Sequence, residues 1–211
     1  MLANEAPIKW LVLGDSILHG AYHTFGWRDA FELLEERVKW ELRRQHDMFL
    51  NMAFSGYTSE DVLHNLPSVL AEYRPDITIL MVGANDASHE TGVELYEKNL
   101  REIITVLRSS CNSKIILLTS APADPDTTVN PLMGKNLPTY VEVMRKTARI
   151  MDCPLVDYNQ TALAKGAYMI YYKSDYVHPN ENGHRLIAAE LMKFLGIFDP
   201  ENSCCCRFFM P

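Results

Sequence analysis

Five residues in this sequence have side-chain or backbone chemistry that suits acyl transfer. Ser16 follows the apolar run WLVLG and an aspartate, Gly56 follows MFLNMAFS, and Asn85 follows DITILMVGA. Asp175 and His178 stand three positions apart in the segment DYVH. A serine hydroxyl is a poor nucleophile until a base takes its proton, and a histidine base needs a carboxylate on its other ring nitrogen. We therefore interpret Ser16 as a nucleophile, His178 as its base and Asp175 as the partner of that base.

Acyl transfer also needs hydrogen-bond donors for the negative oxygen of the tetrahedral intermediate. The backbone N–H groups of Ser16 and Gly56 and the side-chain amide of Asn85 can supply three donors. Glycine has no Cβ, so the backbone at position 56 can approach a substrate closely. These three residues form the predicted oxyanion hole.

Short apolar runs alternate with amphipathic runs, and this alternation predicts how the five residues meet. The strand candidates are near-continuous apolar runs, as expected for parallel strands covered on both faces, at 8–14, 48–54, 76–83, 114–122 and 154–159. Helical spacing or capping marks the intervening segments, at Trp27, Phe31, Leu34, Val38 and Leu42, at 58–73, at Val93, Tyr96, Leu100, Ile103 and Leu107, at 137–152 and at 181–195. The pattern predicts one three-layer α/β/α domain with a five-stranded parallel sheet, whose strand carboxyl ends gather the candidate residues.

In order and spacing, these residues resemble the SGNH hydrolases, a family also called GDSL esterases and lipases. Gly14-Asp15-Ser16 resembles the first block of the family, Gly56 the second, Gly83-Ala84-Asn85-Asp86 the third and Asp175-Tyr176-Val177-His178 the fifth. The resemblance covers roughly residues 8–197, with Ile17 where many members have leucine. The segments FGW, AFSGY and GANDA further resemble small esterases of the isoamyl-acetate-hydrolysing group.

The resemblance implies a flavodoxin-like SGNH hydrolase fold, a triad of Ser16, Asp175 and His178, an oxyanion hole of Ser16, Gly56 and Asn85, and no cofactor or metal. It implies a serine esterase that hydrolyses small to medium acyl esters through an acyl-enzyme. An acyl-thioesterase or lysophospholipase and a carbohydrate O-deacetylase would use the same residues. A catalytically silent ligand-binding module is the alternative outside the enzymes. Oligomeric state is not indicated.

Each candidate also has a local structural explanation when taken alone. Ser16 is of a type that caps helices, and Asn85-Asp86 is a common turn pair. Asp15 and Asp86 are expected to be structural, because a carboxylate can accept backbone N–H bonds and hold a loop. His19 and His23 are expected to be exposed loop residues. The conjunction of the four blocks at successive strand ends favours catalysis.

Composition excludes several classes of function. The formal net charge is −7 over 211 residues, and the one basic cluster, Lys39–Arg44, is expected to be a solvated helix face, so nucleic-acid binding is not expected. The five cysteines have neither disulfide-framework nor zinc-site spacing. No apolar run approaches the roughly 18 residues of a membrane span, and no secretory signal is recognised. A cytoplasmic protein acting on a small-molecule ester is expected.

Three segments stand outside this pattern. Residues 123–138 are expected to form a long loop, with Leu132 and Met133 as candidates for a mobile lid. The run Tyr168, Tyr171 and Tyr172 suits either the wall of an acyl pocket or helix packing. The domain is assigned to residues 1–198. Residues 199–211, including Cys204–Cys206, are expected to be an unpacked tail, with palmitoylation as the alternative.

Overall fold

The sheet has five strands, all parallel, in the order β2-β1-β3-β4-β5. A computed structural model of the chain describes residues 6–20, 22–166 and 172–207. Its strands are β1 Lys9–Gly14, β2 Met48–Ala53, β3 Ile77–Met81, β4 Lys114–Leu118 and β5 Leu155–Val156. The predicted five-stranded parallel sheet is confirmed, although four of the five strands end before the predicted residue.

The centre of the sheet is fully buried, as the apolar runs predict. Val12 of β1 pairs with Asn51 of β2 on one side and with Ile79 of β3 on the other. Every residue of β3 is buried, because helices cover both of its faces. At the amino end of the sheet, Trp10 stacks on Phe49 with ring centroids 5.3 Å apart. This continuous core holds the carboxyl ends of β1 and β3 at a constant separation.

Helices form a layer on each face of the sheet. In the first, α2 packs against α8, and in the second, α3 packs against α5 and α5 against α6. A π-helical turn, Arg37–Glu41, continues α2. The helices are α1 Ser16–His19, α2 Ala30–Glu36, α3 Ser59–Glu72, α4 Ala84–His89, α5 Val93–Cys111, α6 Pro131–Ile150, α7 Tyr158–Ala164, α8 Glu181–Leu195 and α9 Cys204–Arg207. The three-layer α/β/α architecture is therefore confirmed.

The strand order reverses direction at β1, and this point determines where a ligand can bind. From β1 the chain moves outward through α2 to β2, then returns through α3 to β3 on the other side of β1. The two crossovers leave from opposite sides, so a crevice opens between the carboxyl ends of β1 and β3. Ser16 begins the helix after β1, and Asn85 lies in the helix after β3.

Two predicted boundaries are wrong. The segment predicted as a loop to residue 138 is helical from Pro131, because Asn130 caps α6 by accepting the N–H of Met133 and proline is well tolerated at a first helical position. Leu132 and Met133 therefore lie in the first turn of a helix, with Met133 buried. Trp27, predicted on a helix face, precedes the capping residue Asp29 and is 63% exposed.

Part of the predicted tail is packed on the domain, so the expectation of an unpacked tail is wrong for residues 203–207. The short helix α9 is held by Glu41 at the end of the π-helical turn. The Glu41 carboxylate accepts hydrogen bonds from the hydroxyl of Ser203 and from the backbone N–H of Cys205. Cys206 is fully buried, with its Sγ 3.7 Å from the sulfur of Met192 in α8.

Two further expectations can be compared with the structure only over the residues that it describes. Tyr168 and Tyr171 lie outside the described residues, whereas Tyr172 is partly buried against the core. Among the helices of the described ranges, none combines the length and apolar character that crossing a membrane requires.

The packing of α9 predicts different reactivity for two neighbouring thiols. Cys204 is exposed, whereas Cys205 is buried, and burial followed by the charge of Glu41 raises the pKa of Cys205 to about 11. Since the thiolate is the reactive form, we expect a maleimide to label Cys204 at least about tenfold faster than Cys205. Intact-mass kinetics should show that Cys204→Ser removes a fast-labelling thiol and that Cys205→Ser does not. Equal effects of the two substitutions would show that α9 is not packed in solution.

Candidate active site

The first strand ends in a turn that presents Ser16. Gly14 is the last residue of β1, and a Cβ on it would lie 2.3 Å from the carbonyl oxygen of Met81 in β3, so only glycine fits. Asp15 then caps α1, its Oδ1 accepting the N–H of Ile17 at 3.0 Å. The local alternative that Ser16 is the helix cap is therefore wrong, and its hydroxyl is available for another partner.

The structure brings together Ser16, His178 and Asp175. Ser16 Oγ lies 2.8 Å from His178 Nε2, and His178 Nδ1 lies 2.7 Å from Asp175 Oδ2. The other carboxylate oxygen accepts the N–H groups of Val177 and His178 at 2.9 and 2.8 Å. Burial disfavours the ionised carboxylate, but these N–H groups and the His178 ring outweigh it and hold the pKa of Asp175 below its ordinary value. An ionised Asp175 is therefore available to orient the imidazole.

The loop that carries Asp175 and His178 is tied at its base. Lys173 pairs with Pro179 in an isolated antiparallel bridge, and Ser174 N–H donates to the carbonyl of His178 at 3.0 Å. The buried ammonium of Lys173 donates to the carbonyls of Pro122 and Tyr176, and burial lowers the pKa of Lys173 to about 8. Sequence reasoning did not identify Lys173, because a single lysine between tyrosine and serine carries no periodic or motif signal.

The predicted oxyanion residues lie on the turns after β2 and β3. Gly56 has φ +86°, a conformation that favours glycine, and a Cβ there would meet no atom within 4 Å, so backbone conformation accounts for this glycine. The turn is joined to β1 by the N–H of Phe54, which donates to the carbonyl of Gly14 at 3.0 Å. Asn85 Nδ2 donates to the carbonyl of Tyr57 at 2.9 Å. That bond orients the amide and leaves it a second hydrogen to donate.

Two buried carboxylates hold these turns, as expected of Asp15 and Asp86. Asp86 accepts both the N–H and the hydroxyl of Ser59, at 3.0 and 2.6 Å, and so joins the turn after β3 to the start of α3. Burial raises the pKa of Asp15 to about 7 although the N–H groups of Ile17 and Ala84 lower it, and the charge of Asp86 raises it further. The structural role predicted for both residues is confirmed by these bonds.

His23 lies against the candidate base, which sequence reasoning did not anticipate. Its ring stacks on that of His178, with centroids 3.6 Å apart and planes 5° from parallel. The expectation that His23 is an exposed loop residue is wrong, since its side chain is only 18% exposed. His19 is exposed as expected but is the last residue of α1 and not a loop residue, with Nδ1 3.2 Å from Ser55 Oγ. No periodicity or spacing in the sequence distinguishes these two histidines.

Metal binding by this cluster is opposed by its geometry. Within the described part of the chain, ligand atoms of His23, Asp175 and His178 lie within 4.8 Å of one another. However, the two rings are nearly parallel, so their in-plane lone pairs do not converge on one ion. Both nitrogens of His178 are already hydrogen-bonded, to Ser16 and Asp175. The arrangement suits proton transfer between side chains.

Sequence relatives cover most of this chain. A Mycoplasma pneumoniae protein of uncharacterized function is 25% identical over 96% of this chain, but the chain spans only 26% of that protein's length. Thioesterase 1/protease 1/lysophospholipase L1 of Escherichia coli is 25% identical over 88% of this chain and 82% of its own. An arylesterase of Vibrio mimicus is 25% identical over 92% of both chains.

Solved structures share the fold. An α/β hydrolase enzyme, LAE5, from the metagenome of Lake Arreo in Spain superposes with a TM-score of 0.75 and 22% identity, covering 92% of this chain and 97% of its own. The acetyl xylan esterase AlAXEase also has a TM-score of 0.75 and 22% identity, over 89% of this chain and 100% of its own. At this level of identity, the likeness establishes the fold.

The family profile matches the segment that contains both the sheet and the candidate nucleophile. The profile of the GDSL-like lipase/acylhydrolase family aligns with residues 12–186, from within β1 to the second turn of α8. This segment includes Ser16, Gly56, Asn85, Asp175 and His178. The chain therefore belongs to the GDSL-like lipase/acylhydrolase family, the SGNH hydrolases, which are carboxylic ester hydrolases.

Proposed function

We propose that this protein is a serine esterase that hydrolyses small to medium acyl esters through an acyl-enzyme intermediate. The observation that carries the proposal is the continuous hydrogen-bonded chain from Ser16 Oγ through His178 to Asp175, with contacts of 2.8 and 2.7 Å. A catalytically silent binding module would not require this alignment of hydroxyl, imidazole and carboxylate. The five unpaired cysteines support action in the reducing cytoplasm.

The proposed reaction follows from the two bonds of His178. Nε2 removes the proton of Ser16 Oγ as that oxygen bonds to the acyl carbon, and the carbonyl electrons move to the oxygen. The backbone N–H groups of Ser16 and Gly56 and the second amide hydrogen of Asn85 stabilise this oxyanion. The ester C–O bond then breaks as His178 gives its proton to the leaving alcohol, which leaves the acyl-enzyme, and Asp175 stabilises the imidazolium until that transfer. Water gives a proton to His178 as its oxygen bonds to the acyl carbon. The bond between the acyl carbon and Ser16 Oγ then breaks as His178 returns that proton to Oγ, which releases the acid.

The acyl length is proposed from a mainly apolar groove beside the oxyanion turn. Phe54 and Tyr57 flank Gly56, and their ring centroids are 4.9 Å apart. From these rings a groove of about 310 Å³ continues between β2 and α3 and is lined by Leu13, Leu50, Met52, Phe54, Tyr57, Val62, Asn65, Leu66, Ser68, Val69, Glu72 and Tyr73. This volume and lining suit a short or medium alkyl chain.

Two other ester classes would use the same proton relay. The thioesterase/lysophospholipase relative makes an acyl thioester or a lysophospholipid the first alternative substrate. The acetyl xylan esterase among the structural relatives makes an O-acetylated sugar the second candidate. These candidates differ in the group that the enzyme must hold, so substrate panels separate them.

Replacing Ser16 by alanine should abolish hydrolysis of p-nitrophenyl acetate while the melting temperature stays close to that of the wild type, because only the nucleophilic oxygen is lost. A fluorophosphonate probe should label the wild-type protein and leave the Ser16→Ala protein unlabelled in a gel assay. Ser109→Ala, at an exposed position of α5, is the matched control and should retain labelling. Full activity of the Ser16→Ala protein would refute the mechanism.

Replacing Asn85 by alanine should lower kcat by about 10²-fold or more with a smaller change in KM, because the amide donor acts mainly on the oxyanion of the transition state. Steady-state kinetics on p-nitrophenyl acetate measures both constants. Asn85→Asp keeps the size of the side chain but removes its N–H donors, and should lose a similar amount of kcat. A rise in KM at constant kcat would place Asn85 in ground-state binding instead.

Filling the groove should shorten the acyl chains that the enzyme accepts. Val69→Trp places a bulky ring in the groove, and losing burial of two methylenes corresponds to about 1.6 kcal/mol, or about tenfold in kcat/KM. We expect this loss for p-nitrophenyl octanoate and much less for the acetate. Leu95→Trp, at an exposed position of α5, is the control. An equal effect on both esters, or higher activity on acetylated xylooligosaccharides, would argue against the groove as the acyl site.

A further inference from the structure

One face of the proposed catalytic imidazole is covered by a second imidazole. The rings of His23 and His178 are 3.6 Å apart between centroids and 5° from parallel, which is full face-to-face contact. The ring of Tyr176 approaches His178 edge-on at 6.5 Å. The triad itself does not require His23, since Ser16 and Asp175 already occupy both nitrogens of His178.

The position of His23 is determined by a constrained turn after α1. Its N–H donates to the carbonyl of Gly20 at 2.9 Å. Gly20 has φ +72°, and a Cβ there would lie 2.5 Å from Cβ of Asp29, so the turn depends on glycine. On the other side, Nδ1 of His23 lies 3.2 Å from the hydroxyl of Ser174, one residue before Asp175. The ring is therefore held between α1 and the loop that carries the base.

The charges that face His23 come from three elements. Nδ1 lies 3.9 Å from Asp175 Oδ2, the oxygen that binds His178. His178 faces it in the stack, His19 is the last residue of α1, and the ring of Tyr22 meets it edge-on at 5.1 Å. His184 of α8 also interacts with it, and burial lowers the pKa of His184 to about 3, so that ring is neutral.

We propose, on the basis of the esterase function above, that His23 is a positioning residue for the catalytic base. Its neutral ring holds the imidazole of His178 flat and directed at Ser16. Its protonated ring competes with His178 for Asp175 Oδ2 and repels the imidazolium that forms during catalysis. The enzyme is then active only when both histidines have lost their protons.

This role predicts that kcat/KM falls more steeply with decreasing pH than it does in a triad with one titrating base. Burial lowers the pKa of His23 from its ordinary value, and the charge of His178 lowers it further, so His23 is neutral at neutral pH and gains its proton only on acidification. Because two protonations inactivate the enzyme, log(kcat/KM) should fall with a slope above one once both rings bind protons. A triad with one titrating base gives a slope of one.

Two substitutions separate the titration of His23 from its stacking. His23→Phe retains an aromatic face without a proton, and His23→Ala removes both. We expect the acid limb of log(kcat/KM) on p-nitrophenyl acetate, followed down from pH 8, to have a slope of one in both variants and a slope clearly above one in the wild type. At pH 8, His23→Ala should lose about tenfold or more in kcat with little change in KM, and His23→Phe should lose clearly less. His64→Gln, at an exposed histidine of α3, should keep the wild-type slope.

A slope in His23→Phe as steep as in the wild type, or equal kcat values for the alanine and phenylalanine variants, would overturn the proposal. Nuclear magnetic resonance gives a readout that does not depend on esterase activity. In the His178→Gln protein, the titration of His23 should move upward in pH, because the repulsive neighbour is gone. An unchanged midpoint would show that the rings do not stack in solution, whatever the substrate. A shifted midpoint, combined with a wild-type protein that hydrolyses no ester, would refute the esterase function and leave the stack intact.

Discussion

The 2.8 Å contact between Ser16 Oγ and His178 Nε2 joins residues 162 positions apart in the chain. Ser16 leaves β1 at the point where the strand order reverses, and His178 arrives on the loop that precedes α8. The contact therefore needs the sheet to hold the end of β1 and the α2–α8 layer to hold the base of the loop. Hydrogen bonds of this length tolerate only a few tenths of an ångström of displacement. Several further hydrogen bonds therefore hold the segments that carry Ser16 and His178.

Buried polar groups make those hydrogen bonds, and burial shifts the pKa of several of these groups toward the neutral form. Asp15 and Asp86 lie below the turns after β1 and β3, and burial raises the pKa of both. Lys173 and His184 are buried below the catalytic loop and at the start of α8, and burial lowers the pKa of both. Fixed protein dipoles then replace water around the reacting groups, although burial destabilises the charged forms of these four side chains. Such buried polar groups are common where a protein must keep its reacting groups preorganised.

The sequence predicts the fold and the five candidate residues because each candidate directly follows a recognisable apolar run or forms a short spaced pair. Ser16, Gly56 and Asn85 stand at the ends of near-continuous apolar runs, which are typical of parallel strands covered on both faces. The boundaries missed by this reasoning depend on other signals. Pro131 begins α6 because Asn130 caps it, whereas proline and asparagine also suggest a loop. His23 and Glu41 act through contacts with residues more than 150 positions away, and no local pattern encodes such contacts.

The π-helical turn after α2 shows how the C-terminal segment depends on a local irregularity. A π-turn accommodates one more residue than an α-turn, and so rotates the residues that follow it around the helix axis. In this protein Glu41, the last residue of the turn, is thereby directed to the start of α9, where it accepts the N–H of Cys205. Loss of a single residue from this turn would restore a regular helix and rotate Glu41 by about 100° away from its partners. The number of residues in the turn Arg37–Glu41 thus determines whether α9, the last helix of the described residues, can pack on the domain.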